Sequence, residues 1–186
     1  MKKKQIFKIT ENFMYQTLGD RDPKHMCFSV CFPLSSFLWF NSVPNNIIHG
    51  HIPYSHFVLG ILDSNKFVLD PTIRQFDASN PAIYFGPSEP AYTEFKSFDF
   101  IAAYNIWKYY LLNGGKHPPM PEDIPDDREP FDINMLLQFH GKAHALLQRE
   151  LNSKSFKNTD HYRMTCMYLS VIDEAIRITL TKSYCG

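Results

Sequence analysis

The chain of 186 residues carries no net charge, since 19 Lys and Arg balance 19 Asp and Glu. That balance excludes the usual footprint of a nucleic-acid binder, because neutralising phosphates takes a surplus of cations. No apolar run approaches the ~20 residues needed to cross a bilayer, so no membrane partner is expected. The basic opening MKKKQIFKIT is followed by no apolar stretch of signal-peptide length and reads as a solvated end. No internal repeat and no low-complexity tract is present. Cysteine is sparse: Cys27, Cys31, Cys166 and Cys185. Without an export signal, all four read as free thiols of a reducing, cytoplasmic compartment. Delivery into another cell as an effector needs no cleavable signal and stays open.

What is abundant is aromatic surface. Sixteen Phe and ten Tyr lift the aromatic share to 15%, enough for a real core in one domain of ordinary size. The order of elements predicts an α+β fold. Residues 1–19 read as a polar lead-in around an apolar patch, and GDRDPKH as a loop. A helix is expected over 32–40, with Pro33 in its first turn, where a missing N–H breaks no bond. IIHGHI, HFVLGIL and FVLD read as three strands, the last two joined by the turn DSNK. Residues 77–98, with Pro81, Gly86, Pro87 and Pro90, predict an irregular excursion. A helix over 101–112 stops at Asn113-Gly114-Gly115. These elements make a core of residues 1–115. A Pro- and acid-rich linker follows at 116–130. Two amphipathic helices, about 133–151 and 160–181, form an extension within 131–186, packed on the core.

The stretch HMCFSVCFPLSSF holds the chemistry. If the helix starts at Phe32, Cys31 stands just ahead of it, where unpaired N–H groups and the positive dipole end stabilise a thiolate. Cys27 is the alternative nucleophile. A helix starting there carries Pro33 in its second turn, at a cost of about 3 kcal/mol. A cysteine nucleophile needs a base and a group to orient it. His56 opens one strand and Asp70 closes the next, so an antiparallel register with both on one face brings them together. Gln75, just beyond, is placed to hydrogen-bond the substrate or the triad.

Three stretches together resemble the papain-like and transglutaminase-like cysteine enzymes of bacteria and phages. CFPLSSFL (31–38) resembles their nucleophile helix, C-[FHY]-P-h-S-x-x-L, with h apolar. SHFVLGI (55–61) resembles their histidine strand, without its usual Trp, and Gly50 matches a glycine on the strand before it. FVLDPTIRQF (67–76) resembles h-h-D-P-T-x-x-Q-F, the most specific of the three. The resemblance spans about residues 25–77. It implies a nucleophile helix packed on an antiparallel sheet, with Cys31, His56 and Asp70 as nucleophile, base and orienter. It also implies attack on peptide or glutamine side-chain amides through a thioester, by protease, deamidase or transglutaminase-type chemistry, with no cofactor.

Two other classes compete. One is a binding or host-interaction protein on the same fold, without chemistry. The other is a zinc module built from His25, Cys27, Cys31, His49, His51 and His56, though C-x3-C with H-x-H lacks the tight pairs of a structural site. No metal is therefore expected. His140 and His144 lie one helical turn apart in HGKAH, which lacks the glutamate of a metallopeptidase helix and reads as a solvated face.

Overall fold

In the computed structural model the described residues are 3–19, 25–52, 54–62, 67–88, 93–116, 121, 124, 132–153 and 160–184. The expected turn at 63–66 and nearly all of the linker lie outside them. The fold is mixed α+β. Helix α1 (Lys3–Leu18) precedes α2 (Cys27–Phe40). Strands β1 (Asn45–Ile52), β2 (Tyr54–Ile61) and β3 (Phe67–Asp70) follow, then a 3-10 turn at Ile73–Gln75. Strands β4 (Tyr84–Pro87) and β5 (Thr93–Phe98) complete an antiparallel sheet in the order β4-β3-β2-β1-β5. Helices α3 (Phe100–Leu112), α4 (Ile133–Leu151) and α5 (Asp160–Tyr184) close the chain.

Three expectations are corrected. Residues 3–18 are helical, because Ile6, Thr10 and Phe13 recur near helical spacing and bury one stripe. The stretch 77–98 contributes two strands despite its prolines. Pro87 ends β4, which is the sheet's outer strand, where a missing N–H is tolerated. Finally, α2 begins at Cys27 rather than Phe32, with Pro33 inside it. Pro33 removes one helical hydrogen bond, yet the extra turn buries Val30 completely and seats Phe28 against Phe32 and Phe57. One fully buried Val or Phe contributes about 1.5–3 kcal/mol, so the added packing offsets the proline.

Helix α2 is the centre of the molecule. Val30, Phe32, Leu34, Ser35, Ser36 and Leu38 are all buried on it, which leaves no solvent face along most of its length. It packs on β1 and β2 on one side and on α1, α3 and α5 elsewhere. Ser35 locks it in register with the sheet. Its hydroxyl donates to Asn45 Oδ1 at 2.7 Å, and Asn45 Nδ2 returns to the Ser35 carbonyl at 3.1 Å. Helix α5 lays Met164, Met167, Val171 and Ile172 into the same core cluster. Across it, the Tyr110 hydroxyl of α3 bonds Thr165 Oγ1 at 2.9 Å. Helices α3 and α4 start on aspartate caps, Asp99 accepting from the Ala102 N–H and Asp132 from the Asn134 N–H.

Candidate active site

Strand register brings the base to its carboxylate. Leu59 faces Leu69 and Gly60 faces Val68, so one step further sets Asp70 opposite Val58. Side chains alternate along a strand, and Val58 shares its face with His56. His56 and Asp70 are thus diagonal neighbours on one face, and His56 Nε2 lies 2.8 Å from Asp70 Oδ2. Both side chains are essentially buried, at 1% and 0% exposure. On its other side His56 pairs with Gly50 of β1.

The residues after β3 support this pair one by one. Pro71 ends the strand. The Thr72 N–H donates to Asp70 Oδ1 at 2.9 Å, and the Thr72 hydroxyl to the same oxygen at 3.3 Å. Gln75 Nε2 reaches His56 Nδ1 at 3.0 Å. Phe76 sets its ring edge-on to the imidazole, centroids 4.8 Å apart. Asp70, Thr72, Gln75 and Phe76 all belong to one segment, DPTIRQF, and each meets His56 or its carboxylate.

The thiol at this imidazole is Cys27. Its side chain hydrogen-bonds His56 and sits at the first turn of α2, partly exposed. Cys31, which the sequence put first, is one turn further in and wholly buried. Its sulfur donates to the Phe57 carbonyl at 3.2 Å. The shift of the helix start causes this exchange: the residue at the N-terminus of α2 is Cys27.

Electrostatics separate the two thiols. Burial pushes Cys27 up, but the hydrogen bond and charge of His56, with backbone N–H groups of Phe57 and Phe28, outweigh it. The net direction is down, toward thiolate. Burial pushes Cys31 well above the ordinary thiol range, and the neighbouring charges of Cys27 and Asp70 add to it. Burial pulls His56 down. Hydrogen bonds to Asp70 and Cys27, and the charges of both, reverse that and raise it to about 9. Lowering the thiol and raising the imidazole both ease transfer of the Cys27 proton to His56.

Among the described residues no group of three or more His, Cys, Asp or Glu is placed to hold a metal ion. His49 stacks on Phe57 with centroids 4.3 Å apart and pairs with Ser55 Oγ at 2.6 Å. The side chain of His51 lies outside the described set. His140 pairs with Asp173 of α5 at 3.0 Å, so it ties α4 to α5. No described helix is long and apolar enough to cross a membrane. Sequence reasoning gave no role to Ser35, Thr72 or Phe76. The signal was present in the spacing of DPTIRQF, but a fixed role for each residue emerges only once the strand register is known. Comparisons with family models, with curated proteins and with solved structures find no match to this chain.

Proposed function

We propose that this protein is a cysteine-dependent amide-bond enzyme with a papain-like or transglutaminase-like core, Cys27 its nucleophile, His56 its base and Asp70 the orienter. The observation that carries the reading is the buried His56–Asp70 pair meeting a lowered thiol at a helix N-terminus. Peptide or glutamine side-chain amides are the substrate class. The Cys27 thiolate attacks the amide carbonyl and forms a C–S bond, and the carbonyl oxygen takes the negative charge. Backbone N–H groups at the start of α2 are the donors nearest that oxyanion. The intermediate collapses as the C–N bond breaks, and the imidazolium of His56 gives its proton to the leaving amine. The neutral imidazole then draws a proton from water, which cleaves the thioester to acid and free thiol. An amine in place of water gives transamidation. Asp70 keeps the ring's Nε2–H directed at itself, so Nδ1 is the nitrogen that exchanges the proton. Three free thiols among the described residues suit a reducing, cytoplasmic compartment.

The test is iodoacetamide labelling across pH, with the modified residue located by mass spectrometry, on wild type, Cys27→Ala, Cys31→Ala and His56→Ala. Selective labelling of Cys27, with a midpoint well below the ordinary ~8.5 of a thiol, is expected. It should persist in Cys31→Ala and weaken in His56→Ala. Labelling of Cys27 only near its ordinary range, unchanged in His56→Ala, would leave a binding protein as the better reading. Selective labelling of Cys31 would move the nucleophile one turn along α2.

A further inference from the structure

The Gln75 side chain makes three contacts, and together they fix which way its amide faces. The His25 backbone N–H, which can only donate, lies 3.1 Å from Oε1. Oε1 is therefore the acceptor end. The NH2 end lies 3.3 Å from Thr72 Oγ1 and 3.0 Å from His56 Nδ1. Thr72 directs its own hydroxyl proton toward Asp70, so its oxygen is free to accept. Every partner is consistent with one amide orientation, with Nε2 donating to Nδ1 of the neutral ring.

That orientation has a consequence for the ring. Asp70 on β3 and Cys27 on α2 both favour a second proton on His56. Gln75, on the 3-10 turn, opposes it, since protonated Nδ1 would set one N–H against another. Turning the amide over relieves that clash only by setting its NH2 against the His25 N–H. His25 holds a left-handed backbone, φ 58°, two residues before the nucleophile, and its N–H meets Gln75.

We infer that Gln75 is a positioning residue that holds His56 Nδ1 as an acceptor, with its amide locked by the His25 backbone, and thereby limits how tightly the ring keeps its proton. The inference rests on the Cys27–His56 reading for its purpose. A base that binds its proton too strongly cannot return it to a leaving amine, and acid–base efficiency peaks where the pKa sits near the working pH. Two groups drive His56 upward, burial opposes them, and Gln75 adds to that opposition. When Cys27 gives its proton to Nδ1, the Gln75 NH2 loses its acceptor.

The experiment is an NMR titration of the His56 ring nitrogens in wild type, Gln75→Leu and Gln75→Glu, run beside the Cys27 labelling profile. In wild type the neutral ring is expected as the Nε2–H tautomer. Gln75→Leu, which deletes the donor, should raise the His56 midpoint by about half a pH unit or more. Gln75→Glu, which offers a carboxylate to Nδ1–H, should raise it further, by more than one unit. Gln75→Glu keeps the chain length and a polar end, so it carries the test if Gln75→Leu does not fold. A latch that only tethers His25 would lower stability and leave the titration in place. Unmoved or lowered midpoints would overturn the inference. If Cys27 proves unreactive in wild type while the midpoints still rise, the enzymatic reading fails and the control of His56 by Gln75 stands. If Cys27 is reactive and the midpoints stay, the reverse holds.

Discussion

At the residue scale, the site works by the number of partners each buried polar atom has. Asp70 is fully buried and accepts from His56 and twice from Thr72. A buried carboxylate held by three hydrogen bonds is fixed in place, and it fixes the ring that faces it. Asp70→Asn retains the shape and can keep the Thr72 contacts. Its NH2 must then face Nε2, which forces the ring proton to Nδ1, toward the Gln75 NH2 and the thiol. His56 should fall from about 9 toward its ordinary 6.5, and the labelling midpoint of Cys27 should rise. The cost to folding should be about 1–3 kcal/mol, the penalty for a buried donor left without its acceptor. The pH dependence has a definite sign. A ring whose folded pKa lies above its unfolded value stabilises fully below 6.5 and loses that contribution as pH rises through about 9. Urea unfolding at pH 6.5, 8 and 9.5 should therefore show the gap between wild type and Asp70→Asn narrowing upward. A gap that widens with pH would contradict the charged pair.

At the element scale, α2 shows how packing overrides local preference. Pro33 argues for a helix start close to it, and helix propensity alone places that start at Phe32. Phe32 decides otherwise, because it touches Phe28 of the first turn at 4.5 Å and the sheet residues Phe57 and Phe98 at 5.7 and 6.1 Å. Phe32→Ala should cost about 3–5 kcal/mol in chemical denaturation. It should also slow Cys27 labelling in the folded protein, because the turn that presents the thiol loses its anchor. A loss below 1 kcal/mol would mean the turn is held by something other than this cluster. The same contrast explains what was legible in the sequence. The strands around His56 and Asp70 were readable, since turn chemistry and apolar runs are local signals. Helices α3, α4 and α5 were readable from periodicity and caps. Helix α1 was missed because its polar residues outnumber a sparse stripe led by Ile6 and Phe13. Strand β5 was missed because TEFKSF pairs with β1, a partner more than forty residues earlier. The choice between Cys27 and Cys31 turned on tertiary contacts of Phe28, Val30 and Phe32 that no local pattern encodes.

At the scale of the whole molecule, the last two helices share a core with the site. Helix α5 packs on α2, and one cluster of buried side chains runs from Phe13 and Leu34 to Met167 and Ile172. Trp107, fully buried on α3, meets Phe139 of α4 at 5.7 Å, so its fluorescence reports the helical side. Cys31, fully buried on α2 against the Phe57 carbonyl, reports the sheet side through its access to a thiol reagent. If residues 131–186 were a separate unit, these two probes would melt apart. A continuous core predicts one transition, because losing α5 would expose the apolar surface of α2 that faces it, at about 25 cal/mol per Å². Ile172→Ala, a cavity in the shared cluster, should cost about 2–5 kcal/mol and move both midpoints to lower urea by the same amount. Trp107 fluorescence in Cys27→Ala and Cys27→Ala/Ile172→Ala, both carrying Trp39→Phe so that Trp107 is the one emitter, measures this beside Cys31 accessibility. Coincident curves in both variants would mean that the nucleophile helix owes its placement to the C-terminal helices as much as to the sheet. A fluorescence midpoint that falls while Cys31 stays protected would divide the molecule at α5.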